Sequence, residues 1–96
     1  MRSGYIVSYD ISDPKRLRRV FKTLYGFGDH LQLSVFRCEL SRAELVRLKA
    51  KVDKIIKHDE DQILIFDLGP APGRSDDCTD ALGRPYLPSQ RTAVVV

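Results

Sequence analysis

The sequence predicts a small α+β domain, because stretches with strand patterns and stretches with helix patterns alternate along its 96 residues. The order is strand, helix, one or two strands, helix and strand, followed by a loop and a late strand. With two strands in the middle, this order is the βαββαβ ferredoxin-like plan, an antiparallel sheet with both helices on one face. Proteins of many functions share that plan, so function has to be argued from a site.

The first strand and the first helix have clear sequence signals. The stretch GYIVSYDI, residues 4–11, places β-branched and aromatic residues on both faces, which is typical of a central strand. Asp13 and Pro14 predict a helix start, as N-cap and first helical residue, and Gly26 and Gly28 predict its end. The apolar residues of this helix repeat at helical spacing and are expected to face the core: Leu17, Val20, Phe21 and Leu24.

The sequence signals of the next three segments differ in strength. Residues 30–40, HLQLSVFRCEL, alternate as a half-buried strand does, and without an internal glycine or proline they are either one strand or two very short ones. Ser41 and Glu44 have the spacing of a capping box, which predicts a helix over residues 41–57. The run ILIFDL, residues 63–68, is expected to be another buried strand.

The composition changes after residue 68. Residues 69–90 contain four of the five prolines and are predicted to be a loop. The β-branched segment at about 91–96 is expected to be a strand that joins its own sheet or that of a second subunit. We expect residues 1–96 to form a single domain with its core in residues 4–68. An acidic cluster in the loop is interpreted as solvated rather than metal-binding: Asp76, Asp77 and Asp80.

Composition excludes several classes of protein. With 43% hydrophobic and 30% charged residues, the chain is neither disordered nor fibrous. No apolar run approaches the roughly 20 residues of a membrane span, and the first residues lack a signal-peptide pattern, so we expect a cytoplasmic protein with no membrane partner. The dispersed cysteines and histidines argue against a zinc cluster and favour free thiols: Cys38, Cys78, His30 and His58.

The positive charge is concentrated on the first helix. The net charge of the chain is +3, yet between Asp13 and Leu24 five cations stand against a single acid. Charge gathered on one element is typical of phosphate binding, although a solvated helix face is the plainer alternative. The five cations are Lys15, Arg16, Arg18, Arg19 and Lys22.

Asp10 is a candidate functional residue, because it stands where a buried strand meets a loop. Its plainer role would be that of a turn residue. As a hard oxygen ligand for Mg²⁺ or Mn²⁺ it would need a second carboxylate, which its mate across a two-fold axis could supply. Ser8, Ser34 and Tyr9 lack the histidine and the G-x-S-x-G turn of triad chemistry, and no P-loop is present. If the protein is an enzyme, the chemistry that remains is metal-assisted hydrolysis with water as nucleophile.

Three stretches resemble a known family, the small CRISPR-associated adaptation protein Cas2, over roughly residues 4–69: YDISDPKRLRRV, YGFGDHLQLSVFRCELSRAEL and DQILIFDLG. The resemblance implies a homodimer of ferredoxin-like protomers that exchange C-terminal strands. It implies a metal-dependent endonuclease acting on single-stranded RNA or double-stranded DNA, with Asp10 as metal ligand and catalytic residue. Further positions tied to activity in the family correspond to Tyr9, Arg16, Arg19, Ser34 and Phe36.

Each of these positions has an expected role. Arg16 and Arg19, with Lys15 and Arg18 beside them, would hold the nucleic-acid backbone, and Phe36 is expected to pack at the dimer interface. Two other functions stay open. The same dimer could be a non-catalytic scaffold that spans DNA between copies of the Cas1 integrase, in which case the arginines matter and the aspartate does not. It could also be a toxin-like ribonuclease on the same fold.

Overall fold

The computed structural model describes residues 2–70 and 80–85 of the chain. The four strands in these residues form one antiparallel sheet in the order β2-β3-β1-β4, with β1 between two neighbours. The α+β ferredoxin-like plan and the central place of the first strand are therefore confirmed. The elements are β1 (Ser3–Asp10), α1 (Pro14–Tyr25), β2 (Gly28–Gln32), β3 (Val35–Leu40), α2 (Arg42–Asp53) and β4 (Gln62–Pro70).

Residues 30–40, which the sequence left as one strand or two, belong to the two strands of a tight hairpin. Gln32 pairs with Val35, so only Leu33 and Ser34 form the turn. A β-bulge lies between His30 and Gln32. Because a bulge bends its strand and increases the local twist, the hairpin closes without the glycine that such short turns usually contain.

One hydrophobic core lies between the sheet and the two helices. Alternate residues of β1 and β3 face it, and the helices cover it from one side, since buried residues of both helices belong to the same cluster. Leu17 is 39% exposed, so its predicted place in the core is wrong. Helix α2 ends at Asp53, earlier than predicted. The side chains with the least exposure are Val7, Val20, Leu24, Phe36, Cys38 and Leu48.

Strand β4 is confirmed, but it is less buried than predicted. Ile63 and Ile65 pack against the core, whereas Leu64 and Phe66 are 44% and 51% exposed on the other face of the sheet. Both helices pack on the same side of the sheet, so they cover only one face of β4, which is an edge strand among the described residues.

The predicted C-terminal strand at about 91–96 and most of the predicted loop lie outside the described residues, as do Asp76, Asp77 and Cys78. The strand β4 extends to Pro70, so residues 69 and 70, which were predicted to be loop, belong to the strand. In the described parts of the chain, no helix is long and apolar enough to cross a membrane.

Candidate metal and nucleic-acid site at the end of strand β1

Asp10 occupies a rigid position at the end of a central strand. It is the last residue of β1 and pairs with Gln62, the first residue of β4. The residues on either side, Tyr9 and Ile11, are both buried in the core. The backbone of Asp10 is therefore fixed by the sheet and by two buried neighbours, while its side chain is exposed. The place at which this carboxylate leaves the backbone is therefore set by the fold before any ligand arrives.

The Asp10 carboxylate makes no hydrogen bond and no ion pair with the residues that the structure describes. The plainer role considered for it, satisfying backbone amides in the turn, belongs to two other aspartates. Asp13 caps α1 by accepting a hydrogen bond from the backbone N–H of Arg16 at 3.0 Å. Asp61 accepts one from the backbone N–H of Ser12, also at 3.0 Å. Within residues 2–70 and 80–85, Asp10 is thus left without a partner.

Asp61 is the centre of a polar cluster beside this strand end. Its carboxylate accepts hydrogen bonds from Arg16 Nε at 2.7 Å and Arg16 Nη2 at 3.2 Å, and from the backbone N–H of Lys57 at 2.8 Å. Its side chain has no exposed surface. Together with the bond to Ser12, these contacts tie the β1–α1 loop to the turn before β4. We call Ser12, Arg16 and Asp61 the Asp61 cluster.

Charge in the Asp61 cluster is balanced within the chain. The Arg16 guanidinium holds the pKa of the Asp61 carboxyl well below its usual range, and Asp61 in turn raises the pKa of Arg16. Arg16 Nη2 also lies 3.3 Å from Glu60 Oε1. The guanidinium predicted to bind phosphate is therefore already bound to carboxylates. A phosphate role for Arg16 stays a prediction, and the structure gives this residue a second role in holding the loop next to Asp10.

The other predicted cations on α1 are available for binding. Lys15, Arg18 and Arg19 are exposed, and none of them forms an ion pair with a described residue. They follow the N-terminus of α1, which begins four residues after Asp10. Phosphate groups near these three side chains would therefore lie close to the end of β1. This is the arrangement that the prediction of a nucleic-acid surface requires.

Tyr9, Ser34 and Phe36 support the strand end from inside the protein. The Tyr9 hydroxyl donates to the Leu33 carbonyl at 3.3 Å, and the Tyr9 backbone N–H donates to the Ser34 carbonyl at 3.0 Å. Burial raises the pKa of the Tyr9 hydroxyl, so it remains a neutral donor at neutral pH. These bonds fasten the β2–β3 turn to the residue before Asp10.

Phe36 was expected at a dimer interface, and this expectation is wrong. Its side chain has no exposure in the single chain. Its ring lies 5.4 Å from that of Phe21, 5.0 Å from that of His30 and 6.2 Å from that of Tyr9, measured between centroids. Residues of alternate parity face opposite sides of a strand, and Phe36 points towards the helices. Its contribution is therefore to the core beneath the site.

A single chain supplies only part of a metal site. No group of three or more histidine, cysteine, aspartate or glutamate side chains that could hold a metal ion occurs in residues 2–70 and 80–85. Asp10 offers one unengaged carboxylate, which is the hard oxygen donor that Mg²⁺ and Mn²⁺ prefer. The donor chemistry therefore fits such an ion, to which the described residues of one chain contribute a single carboxylate at this strand end.

Sequence reasoning missed Asp61 and Ser12, although it found Asp10 and Arg16. The partners of Asp61 on the β1–α1 side are 45 to 49 positions away in the sequence. Only the pairing of β4 with β1 brings them together. The available signal was positional, because Asp61 lies two residues before the predicted strand at residues 63–68.

Comparison with known proteins identifies the family. The family model for CRISPR associated protein Cas2 matches residues 3–72. The CRISPR-associated endoribonuclease Cas2 of Geobacter sulfurreducens is 47% identical over 96 residues, covering 100% of both chains. The CRISPR-associated endoribonuclease Cas2 1 of Rhodospirillum rubrum is 39% identical over 97% of this chain and 90% of its own.

The fold comparison agrees with the sequence comparison. A crystal structure of Streptococcus pyogenes Cas2 superposes with a TM-score of 0.72 at 30% identity, covering 83% of this chain and 99% of that one. The shared fold, the matched family model and a relative of nearly half-identical sequence all point to the same group of proteins. The chain belongs to the CRISPR-associated Cas2 family.

Proposed function

We propose that this protein is a metal-dependent endonuclease of the CRISPR spacer-acquisition machinery, which hydrolyses phosphodiester bonds in single-stranded RNA, double-stranded DNA or both. The observation that carries the proposal is Asp10, an exposed carboxylate without a partner among the described residues, held at the end of a central strand. The names of the relatives from Geobacter sulfurreducens and Rhodospirillum rubrum, both endoribonucleases, support a nuclease.

The proposed active unit is a homodimer in which the two Asp10 side chains hold one Mg²⁺ or Mn²⁺ ion near the two-fold axis. One chain offers too few ligands for such an ion, and mutual repulsion between two carboxylates favours a cation between them. The exposed apolar side chains of β4, Leu64 and Phe66, support a contact between the outer faces of two sheets. Exchange of the C-terminal segments, residues 91–96, is part of the same proposal.

Each residue of the proposed site then has a defined role. A bound divalent ion would lower the pKa of a coordinated water and polarise the scissile phosphate. Asp10 holds its ligand position because β1 fixes its backbone. Lys15, Arg18 and Arg19 bind the phosphates on both sides of the cleaved bond. Since such contacts go to the backbone, sequence preference should be small and salt dependence steep.

The Asp61 cluster stabilises the geometry of the site during hydrolysis. Its hydrogen bonds hold the loop that connects Asp10 to the basic helix, so the backbone of the strand end and the first turn of α1 keep a fixed relation. Arg16 therefore acts mainly as a positioning residue in this proposal. A misplacement of about 1 Å in such a site can cost roughly 100-fold in rate.

A second candidate function is a dimeric DNA-binding scaffold for the Cas1 integrase, without hydrolysis. The observation that favours it is the imbalance of charge at the site, where three cations lack a partner among the described residues and stand beside one carboxylate. Under this function the cations of α1 are required and Asp10 is dispensable. The two functions therefore make opposite predictions for Asp10.

Cleavage of labelled single-stranded RNA and duplex DNA distinguishes them. The native protein, Asp10→Ala and the control Asp59→Ala are each assayed with Mg²⁺, with Mn²⁺ and with EDTA, alongside binding measurements. Asp59 is a suitable control because it is also exposed and unpaired among the described residues. A nuclease loses cleavage in Asp10→Ala and in EDTA while binding is retained. Binding without cleavage in the native protein would favour the scaffold.

A further inference from the structure

A basic groove lies at the end of α1 opposite to Asp10, where the last turn of this helix meets α2. Its volume is about 500 Å³. The site described above does not include it, since that site follows the first turn of α1. The residues that line it and carry the argument are Arg2, Lys22, Phe27, Glu44, Arg47 and Lys51.

The acid in this groove is already neutralised. Glu44 accepts a hydrogen bond from the backbone N–H of Ser41 at 2.8 Å, as part of the capping box, and another from Arg2 Nη1 at 2.7 Å. The Ser41 bond is the main reason why the pKa of Glu44 is lowered, so this carboxylate is charged and engaged at neutral pH. Arg2 and Glu44 thus cancel each other, and the remaining charge of the groove is positive.

Three cations of the groove have no counter-ion among the described residues: Lys22, Arg47 and Lys51. Lys51 is held in place by a cation–π contact, with Nζ 5.7 Å from the centre of the Phe27 ring. Arg47 and Lys51 are one helical turn apart on α2, and Lys22 faces them from α1. A concave surface with three unpaired cations is suited to a polyanion.

The groove is continuous with the basic face of α1. Lys15, Arg18, Arg19 and Lys22 repeat at three- and four-residue spacing, so they follow one side of the helix. From Lys15 to Lys22 the helix rises by roughly 10 Å, which corresponds to about three phosphates along one strand of a duplex. A backbone bound near Asp10 could therefore follow this face into the groove.

We propose that the groove is a second phosphate-binding site, which takes the continuing backbone of the nucleic acid bound at the α1 face. Its ligand is the phosphodiester chain of RNA or DNA rather than an acidic protein segment, because the row of cations on α1 connects the groove with the site at Asp10. This inference deepens the proposed function and rests on its nucleic-acid substrate, but not on the chemistry of Asp10.

The test measures binding in EDTA, so that no cleavage takes place. Affinity for labelled single-stranded RNA and for duplex DNA is followed by fluorescence anisotropy between 50 and 300 mM salt. The groove variant carries Lys22→Gln, Arg47→Gln and Lys51→Gln. The control variant carries Arg42→Gln, Lys49→Gln and Lys54→Gln, which remove the same charge from exposed positions outside the groove.

The slope of log affinity against log salt counts phosphate contacts. Loss of three contacts should reduce its magnitude by about 2 for single-stranded RNA and by about 2.7 for duplex DNA. The control variant should change the slope by less than one contact. Equal slopes in the groove and control variants would overturn the proposal. This is also the result expected if the groove binds an acidic peptide instead of nucleic acid.

A single pair of variants guards against a folding defect. Arg47→Gln is compared with Arg42→Gln, with melting temperatures measured for both, and the slope should fall by about one contact only in Arg47→Gln.

The outcomes also separate the groove proposal from the nuclease proposal. Nucleic-acid binding that depends on the groove, without any cleavage, would retain the groove and reject the nuclease. Cleavage by the native protein with equal slopes in both triple variants would do the reverse.

Discussion

Replacement of Phe36 tests whether a family position tied to activity acts through the core or through the chemistry. The side chain has no exposed surface, and its ring is packed among those of Phe21, His30 and Tyr9. Truncation to alanine in such a place costs about 3–5 kcal/mol, because the cavity closes only in part. A chain of this length has roughly 5–14 kcal/mol of stability in all. Phe36→Ala should therefore lose a large share of its stability and, with it, its activity.

Phe36→Leu is the matched variant, because leucine fills most of the space and carries no aromatic ring. Its cost should be below about 1.5 kcal/mol if the core repacks, so this variant should stay folded and keep both binding and cleavage. Urea unfolding at equal protein concentration measures both changes. With a slope of about 1–3 kcal/mol per molar urea, the midpoint of Phe36→Ala should fall by at least 1 M.

The result that would refute this reasoning is a functional defect without a stability defect. If Phe36→Leu unfolded at nearly the native urea concentration but no longer cleaved or bound nucleic acid, the ring would have to contact a ligand or a partner. A fall of less than about 1 kcal/mol in Phe36→Ala would contradict the core role directly.

Three further predictions follow from the described contacts. The stability difference between the native protein and Asp61→Asn should be full above about pH 5 and shrink below about pH 4, as urea unfolding against pH would show, because Arg16 lowers the folded-state pKa of Asp61 below its unfolded value. A difference that grows in acid would contradict it. Gly28→Ala should lower the free energy of unfolding by about 1–3 kcal/mol in urea unfolding, because its Cβ would overlap the backbone of β3; an unchanged midpoint would show that β2 shifts freely. Phe66→Asp should give monomers in sedimentation and the control Val46→Asp should not, since only the former lies on the outer face of the sheet; dimers of Phe66→Asp would place the interface elsewhere.

Local signals predicted the helix starts well, because a cap is decided by a few neighbouring residues. Asp13 and Pro14 begin α1, and Ser41 and Glu44 form the expected capping box. The end of α2 was predicted too late. Its last apolar residues still pack against the core from the turn that follows the helix, so their hydrophobic spacing persists where the helical backbone does not.

Features that depend on tertiary structure were beyond the reach of the sequence pattern. The β2–β3 turn has no glycine or proline, and its bulge is visible only once the strands are paired. Asp10 was found because a strand end is a local feature. The Asp61 cluster was not found, because it joins residues that are far apart in the sequence and meet only through the pairing of β1 with β4.

The most direct test of the central claim counts the Mn²⁺ ions bound per chain by titration calorimetry. The native protein, Asp10→Asn and the control Asp59→Asn are compared. Sedimentation at the same protein concentrations gives the oligomeric state of each. The account predicts one ion per two chains for the native protein and the control, and none for Asp10→Asn. One ion for each chain, or unchanged binding in Asp10→Asn, would contradict a metal shared between two Asp10 carboxylates.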